Sequence, residues 1–197
     1  MKIYFLQKKI LKLLFSVCFF VQIFCAGFAM QSNHGLDGYV ENKIDPIKNA
    51  RLHNNMGNIY FDEKKYIGAL KEYEIAYNLA HKTQAAGAYL YNISRCYFVL
   101  GNYNLAKNAI LGAIKKDCIN LTYYEMLAEC IIKLNQVESE LEKYINDSEN
   151  PYNRIVVALI YLKTDKKMQA RATLDDFVAK YPNLIITDDI RLMLNRI

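Results

Sequence analysis

Residues 51–80, RLHNNMGNIYFDEKKYIGALKEYEIAYNLA, and residues 88–117, AYLYNISRCYFVLGNYNLAKNAILGAIKKD, carry one pattern written twice. Gly57, Tyr60, Tyr66, Ala69, Tyr73 and Ala76 in the first are answered 37 residues later by Ser94, Tyr97, Tyr103, Ala106, Ile110 and Ala113. Self-similarity at a spacing in the mid-thirties is the signature of a chain built from stacked supersecondary units, each too small to bury its own apolar face.

Within each copy the small and apolar residues recur every three or four positions, which sets them on one face of a helix. Met56, Gly57 and Tyr60 lie on the first helix of the first copy, and Ala69, Tyr73 and Ala76 on the second. Asp62, Glu63, Lys64 and Lys65 form the polar turn between them. Asp45 ahead of Pro46 reads as an N-cap followed by a first-turn proline, so the leading helix starts there. In the second copy Gly101 and Asn102 make the turn, and serine at position 94 still permits close helix approach.

The run His53, Met56, Gly57, Tyr60, then Ala69, Tyr73 and Ala76, resembles the tetratricopeptide repeat, a helix-turn-helix unit of about 34 residues. Two further copies follow. The third has Tyr124, Leu127, Ala128 and Ile131 on its leading helix, but its second helix, around Val137, Leu141, Tyr144 and Ile145, lacks a small residue at the expected contact. The fourth has Val157, Ala158 and Tyr161, then Ala170, Leu174, Phe177 and a closing Pro182. From Gly57 through Ser94 and Ala128 to Ala158 the intervals are 37, 34 and 30 residues. The resemblance spans Ala50 to Leu184 and is poorest in the third copy. Asn120, and Asn150 ahead of Pro151, are the expected N-caps of the third and fourth leading helices.

After Pro182, Thr187, Asp188 and Asp189 open a short amphipathic segment, Ile190 to Arg196, with its acids and its arginine placed to suit the helix dipole. A solenoid leaves its last apolar face uncovered unless an atypical segment closes it, and this tail is the expected cap. The fold expected is all-α: a right-handed α-solenoid of about four helix-turn-helix repeats plus a C-terminal capping helix, occupying residues 46–197.

Ahead of it, residues 1–29 hold Lys2, Lys8, Lys9 and Lys12, no acid, and then an apolar run ending in small residues at Gly27 and Ala29. That is the build of a secretory signal peptide cut after Ala29. A retained membrane anchor is the alternative reading, since the 17-residue run falls just short of a transmembrane span. Residues 30–45, with Gly35 and Gly38, read as a linker. The protein is therefore expected outside the cytoplasm, in a bacterial periplasm, or anchored in the inner membrane facing it; any contact with membrane runs through residues 1–29. The leader also accounts for the charge. Of 25 Lys and Arg, four lie in it, leaving 21 against 20 Asp and Glu, so the formal +5 supports no nucleic-acid partner.

Chemistry is hard to find in the remainder. Outside the leader stand Cys96, Cys118 and Cys130, an odd number. Cys96 and Cys130 sit two residues after Ser94 and Ala128, hence at equivalent places in adjacent repeats, about 8–10 Å apart and beyond bridging distance. All three are expected to be free and buried as small hydrophobes. His34, His53 and His81 have no second ligand at helical spacing, and no zinc or other cofactor motif accompanies them. Asp175–Asp176 and Asp188–Asp189 are sequence neighbours, whose side chains diverge on a helix instead of converging on one reacting atom. No catalytic residue, no cofactor and no enzymatic activity are expected.

What the resemblance implies is binding. In that family the leading helices line a concave surface in which a peptide or a partner's helix lies. Carried onto this chain, the groove-facing residues are Arg51, Asn54, Asn58 and Phe61; Tyr91, Asn92, Arg95 and Phe98; Glu125 and Glu129; and Tyr152, Ile155 and Leu159. Asn58 and Asn92 match asparagines that, in one subfamily, clamp the C-terminal carboxylate of a chaperone, but that clamp also needs basic residues where this chain has Asn54, Thr122 and Met126. Tyr91, Arg95 and Phe98 are residue types enriched at protein interfaces, so the partner implied is a protein or peptide in the concave groove.

Overall fold

The computed structural model describes residues 45–147 and 149–197; the leader and linker positions 1–44 lie outside the described residues. Among the described residues there are nine helices and no strand: α1 (Pro46–Asp62), α2 (Tyr66–Ala80), α3 (Ala86–Val99), α4 (Tyr103–Lys116), α5 (Leu121–Lys133), α6 (Val137–Asn146), α7 (Asn153–Lys163), α8 (Lys167–Lys180) and α9 (Ile186–Leu194). None of them is long and apolar enough to cross a membrane.

The leading helices α1, α3, α5 and α7 all end in the same way. Lys64, Gly101, Asn135 and Asp165, each seven residues after Gly57, Ser94, Ala128 or Ala158, have φ of 60°, 78°, 54° and 59°. In each case the next amide reaches back over the helix end: Lys65 N to Tyr60 O, Asn102 N to Tyr97 O, Gln136 N to Ile131 O and Lys166 N to Tyr161 O, at 2.8, 2.8, 3.1 and 2.8 Å. This is the Schellman closure, which satisfies carbonyls that a helix end leaves unpaired. The repeat register read from small residues is thus repeated in the backbone. At the helix starts, Asp45 Oδ1 accepts from Ile47 N at 3.0 Å with Pro46 behind it, and Asn120 Oδ1 accepts from Thr122 N at 3.1 Å.

In each hairpin a larger residue follows the small residue of the leading helix by 16 positions: Gly57 and Tyr73, Ser94 and Ile110, Ala128 and Tyr144, Ala158 and Leu174. In the first hairpin the fit is absolute. A Cβ on Gly57 would lie 2.5 Å from Tyr73 Cε1, and Tyr73 is fully buried. In the second hairpin the smaller Ile110 leaves room for Ser94, whose hydroxyl donates to the Ala106 carbonyl at 2.9 Å. In the fourth, Ala158 and Leu174 hold the same positions and both are fully buried. The pairs α1–α2, α3–α4 and α7–α8 accordingly pack against each other.

The third hairpin breaks the rule. Its register pairs alanine, Ala128, with a tyrosine that the first hairpin accommodates only opposite glycine, and Glu140 stands at the position of the buried Ala69, Ala106 and Ala170. Consequently α5 makes little contact with α6 and packs on α4 and α7 instead. Lys107 of α4 holds α6 at a distance, donating to Gln136 Oε1 at 2.7 Å and to Glu140 Oε1 at 2.6 Å. Tyr144 is the one buried residue of α6, whereas α2 buries four, Ala69, Tyr73, Ala76 and Ala80.

At the C-terminal end, Ile155 to Ile160 of α7 are all buried, as a helix apolar on every side requires. Ile186, Ile190 and Leu194 of α9 join the same core, so α9 covers the last repeat.

Three expectations need correction. Asn150 does cap, accepting from Tyr152 N at 3.0 Å, but it caps a tight turn in which Asn153 N returns to Asn150 O, and regular helix begins only at Asn153. Thr187 does not open the terminal helix; Ile186 is drawn into the core and starts it, leaving Thr187 buried with its hydroxyl donating to Tyr181 O at 2.7 Å. Of the cysteines, Cys96 and Cys130 are buried and their thiols are pushed up to about 12 by burial, whereas Cys118 is exposed in the α4–α5 turn; all three are free.

Candidate functional site

The faces of α1, α3 and α5 that carry the residues one position after, and three before, the small contact residues form a continuous polar and aromatic wall. Asn92 Nδ2 of α3 donates to Asn54 Oδ1 of α1 at 2.9 Å, which ties the first two leading helices together. Arg95 Nη1 donates to Asn92 Oδ1 at 3.3 Å, and its guanidinium lies 4.1 Å from the centre of the Phe61 ring and 5.9 Å from that of Tyr91. Lying against these rings lowers the entropy lost when Arg95 meets a partner, while most of its donors stay unused. Tyr91 in turn stacks on Tyr123 of α5 at 5.3 Å. Burial raises the Tyr91 phenol above its ordinary range; Arg95 opposes this, and the charges of Glu125 and Glu129 add to it.

The other expected residues fall into four groups. Arg51 is exposed and open to solvent. Asn58 and Phe98 serve the fold: Asn58 Oδ1 accepts from the Tyr73 hydroxyl at 2.8 Å, and Phe98 meets Tyr103 edge-on at 5.2 Å, as Phe61 meets Tyr66. Glu129 is paired with Lys163 at 2.6 Å, and Tyr152 stacks on Tyr124 at 6.0 Å. Ile155 and Leu159 are 0 and 3 % exposed and offer no surface to a partner.

Beyond Tyr123 the wall opens into a groove of about 610 Å³ between the start of α5 and the terminal helix α9. Its sides carry Asp117, Glu125 and Asp189 against a single Arg196, and its apolar surface comes from Leu121, Leu192 and Met193. Leu192 is 57 % exposed, high for a leucine with apolar neighbours at hand. Sequence reasoning picked Glu125 but missed Tyr123, Asp117, Asp189 and Arg196. The usable signal was the capping helix itself: stacked as the next helix in line, α9 presents its own outer positions beside α5. The wall thus has Arg51 and Arg95 towards its first helices and a net negative groove at the other end.

Among the described residues no cluster of His, Cys, Asp and Glu gathers in a metal-binding arrangement. His53 Nδ1 is engaged by Glu72 Oε2 at 2.6 Å, between α1 and α2.

In comparisons with known proteins, the tetratricopeptide repeat family matches residues 157–184, the second half of α7 through α8 to Leu184. No curated protein matches the chain. Among solved structures, the chain is similar to the tetratricopeptide repeat domain of OM64 from Arabidopsis, at 13% identity and TM-score 0.45 over 77% of this chain and 98% of that one. It is similar to pilF of Pseudomonas aeruginosa, at 13% identity and TM-score 0.47 over 74% and 67%. A tetratricopeptide repeat protein of Parabacteroides merdae is similar at 16% identity and TM-score 0.49 over 75% and 59%.

Proposed function

We propose that this tetratricopeptide-repeat chain is a non-catalytic scaffold that holds an extended segment of another protein along the wall of its leading helices. The observation that carries the reading is the continuity of that wall: Asn54, Asn92, Arg95, Tyr91 and Tyr123 touch in series and lead to the groove between α5 and α9. Its polarity dictates the partner's chemistry. An acidic residue suits Arg51 and Arg95, and apolar and basic residues suit the groove bearing Asp117, Glu125 and Asp189.

Extended peptides of unstructured sequence screened against the full chain are expected to enrich for an acidic residue at one end and lysine or arginine at the other. Arg95→Glu and Glu125→Arg are each expected to weaken the best binders about tenfold, a loss of roughly 1.4 kcal/mol. Equal binding by wild type and both variants would refute the reading.

In the cell, the leader-like residues 1–29 support a place outside the cytoplasm, in a bacterial periplasm, with a role in assembling or tethering envelope proteins. N-terminal sequencing of the natural product separates this from an anchored accessory factor of a secretion or outer-membrane assembly machine: a start near Met30 supports release, a start at Met1 supports the anchor.

A further inference from the structure

The open third hairpin leaves a second cavity, on the side where α6 would otherwise close. It has a volume of about 380 Å³, within the range of small-ligand pockets, roughly 300–1,000 Å³, and is lined by the end of α4, by α5, by α6 and by the start of α7. Its floor is aliphatic, from Leu111, Ile114, Leu127 and Val156, and the stacked rings of Tyr124 and Tyr152 form one side. The Tyr124 hydroxyl is already spent on the Cys118 carbonyl at 2.7 Å, so that ring presents carbon to the cavity.

Among the described residues, the charged side chains that line the cavity are two lysines, Lys115 and Lys143, both exposed. Lys143 rests 5.1 Å from the Tyr144 ring centre and 3.6 Å from Glu140 Oε2, a loose geometry that leaves the ammonium free to turn towards a ligand. None of these features belongs to the leading-helix wall, and they arise from departures that the other three repeats do not share.

We infer that this cavity binds an amphiphilic carboxylate, a fatty-acid-like molecule whose chain lies on Leu111, Ile114, Leu127 and Val156 and whose head group meets Lys115 and Lys143. An aliphatic chain suits the aliphatic side chains of Leu111, Ile114, Leu127 and Val156, which offer it no hydrogen-bonding group to leave unpaired. The head group follows from charge complementarity: among the described residues, two ammonium groups and no carboxylate line the cavity.

Cys118 supplies an internal reporter. Its exposed thiol lies in the cavity lining beside Tyr152, whose phenol is raised by that thiol and by burial. The experiment follows iodoacetamide alkylation of Cys118 by peptide mass spectrometry in the full-length chain, which distinguishes it from the other cysteines. Dodecanoate is expected to slow alkylation about tenfold at saturation, because the thiol must be reached to react. Dodecyltrimethylammonium, with the same chain and the opposite charge, is expected to change it by less than about twofold, and Lys115→Glu with Lys143→Gln to raise the half-protecting dodecanoate concentration about tenfold. Lys115 is exposed, and glutamine at position 143 removes the charge there without setting a second carboxylate beside Glu140. Unchanged Cys118 alkylation up to about 1 mM dodecanoate, equal protection by the cationic amphiphile, or protection undiminished by the two lysine substitutions would each overturn the inference.

Discussion

The first and third hairpins both carry a tyrosine 16 residues after the small residue of the leading helix, yet the first closes tightly and the third stands open. The difference lies opposite the ring. Gly57 gives Tyr73 the space that one Cβ would take, and Tyr73 disappears completely from solvent. Ala128 gives Tyr144 no such space, and Glu140 brings a charge to the position where Ala69 brings a methyl group. Protein interiors are packed too densely to absorb either change without moving a helix. The opened hairpin teaches that a repeat can keep its register, its turn and its neighbours while losing its internal contact, provided something else holds the displaced helix. Here that is the Lys107–Glu140 pair, 14 and 12 % exposed, reaching from the second hairpin into the third.

The strongest way to break this comparison is to make the first hairpin resemble the third. Gly57→Val forces side-chain carbon onto the buried Tyr73 ring and is expected to lower stability by about 3 kcal/mol in urea denaturation, the upper end for overpacking. A loss below about 1 kcal/mol would mean that the ring moves freely and that the size match does not hold the hairpin shut.

A somewhat smaller effect sharpens the role of the ion pair. Burial alone would raise the Glu140 carboxyl, but the bonded Lys107 ammonium and the nearby Lys143 outweigh it and hold the carboxyl below the ordinary range. Lys107→Met strands that carboxylate, whose Oε2 already lacks a hydrogen bond, and is expected to lose about 2 kcal/mol. Lys107→Met combined with Glu140→Leu should recover most of the loss, since no buried charge then remains. Because the folded value is lowered, the wild-type contribution is complete above about pH 5 and disappears as pH falls from the ordinary carboxylate range through that lower value. Denaturation curves across that window should show an acid loss that the double variant lacks.

The smallest expected effect compares the turns. Lys64 and Asn135 both adopt the left-handed conformation, at φ of 60° and 54°. Lysine is poorly suited to it and asparagine tolerates it, so Lys64→Gly is expected to gain about 1 kcal/mol and Asn135→Gly only a few tenths. Equal gains in thermal or chemical denaturation would show that turn chemistry does not distinguish the two hairpins.

Much of the body was legible before any coordinates. Gly57, Ser94, Ala128 and Ala158 set the register, and the missing small residue in the third second-helix pointed to the weak hairpin. Of the left-handed turns, Gly101 and Asn135 are residue types that favour that conformation, whereas Lys64 does not announce it. Helix starts after Asn150 and before Thr187 were displaced by a tight turn and by the pull of Ile186 into the core. In the candidate site, Asn54, Asn92, Arg95 and Tyr91 do come together. Ile155 and Leu159 do not contribute, because α7 is enclosed on all sides, and the acidic groove escaped notice because it joins Asp117 to Asp189, far apart in the chain.

The sequence by itself determined the all-helical class, the four-fold register and the apolar cap, because these depend on local periodicity and on residues of one helix face. Only the tertiary structure decided that the third hairpin opens, that a cavity forms beside Cys118 and that α9 completes an acidic groove. Each of those outcomes rests on volumes and charges meeting across helices, where a single carbon or one carboxylate decides whether two surfaces can touch.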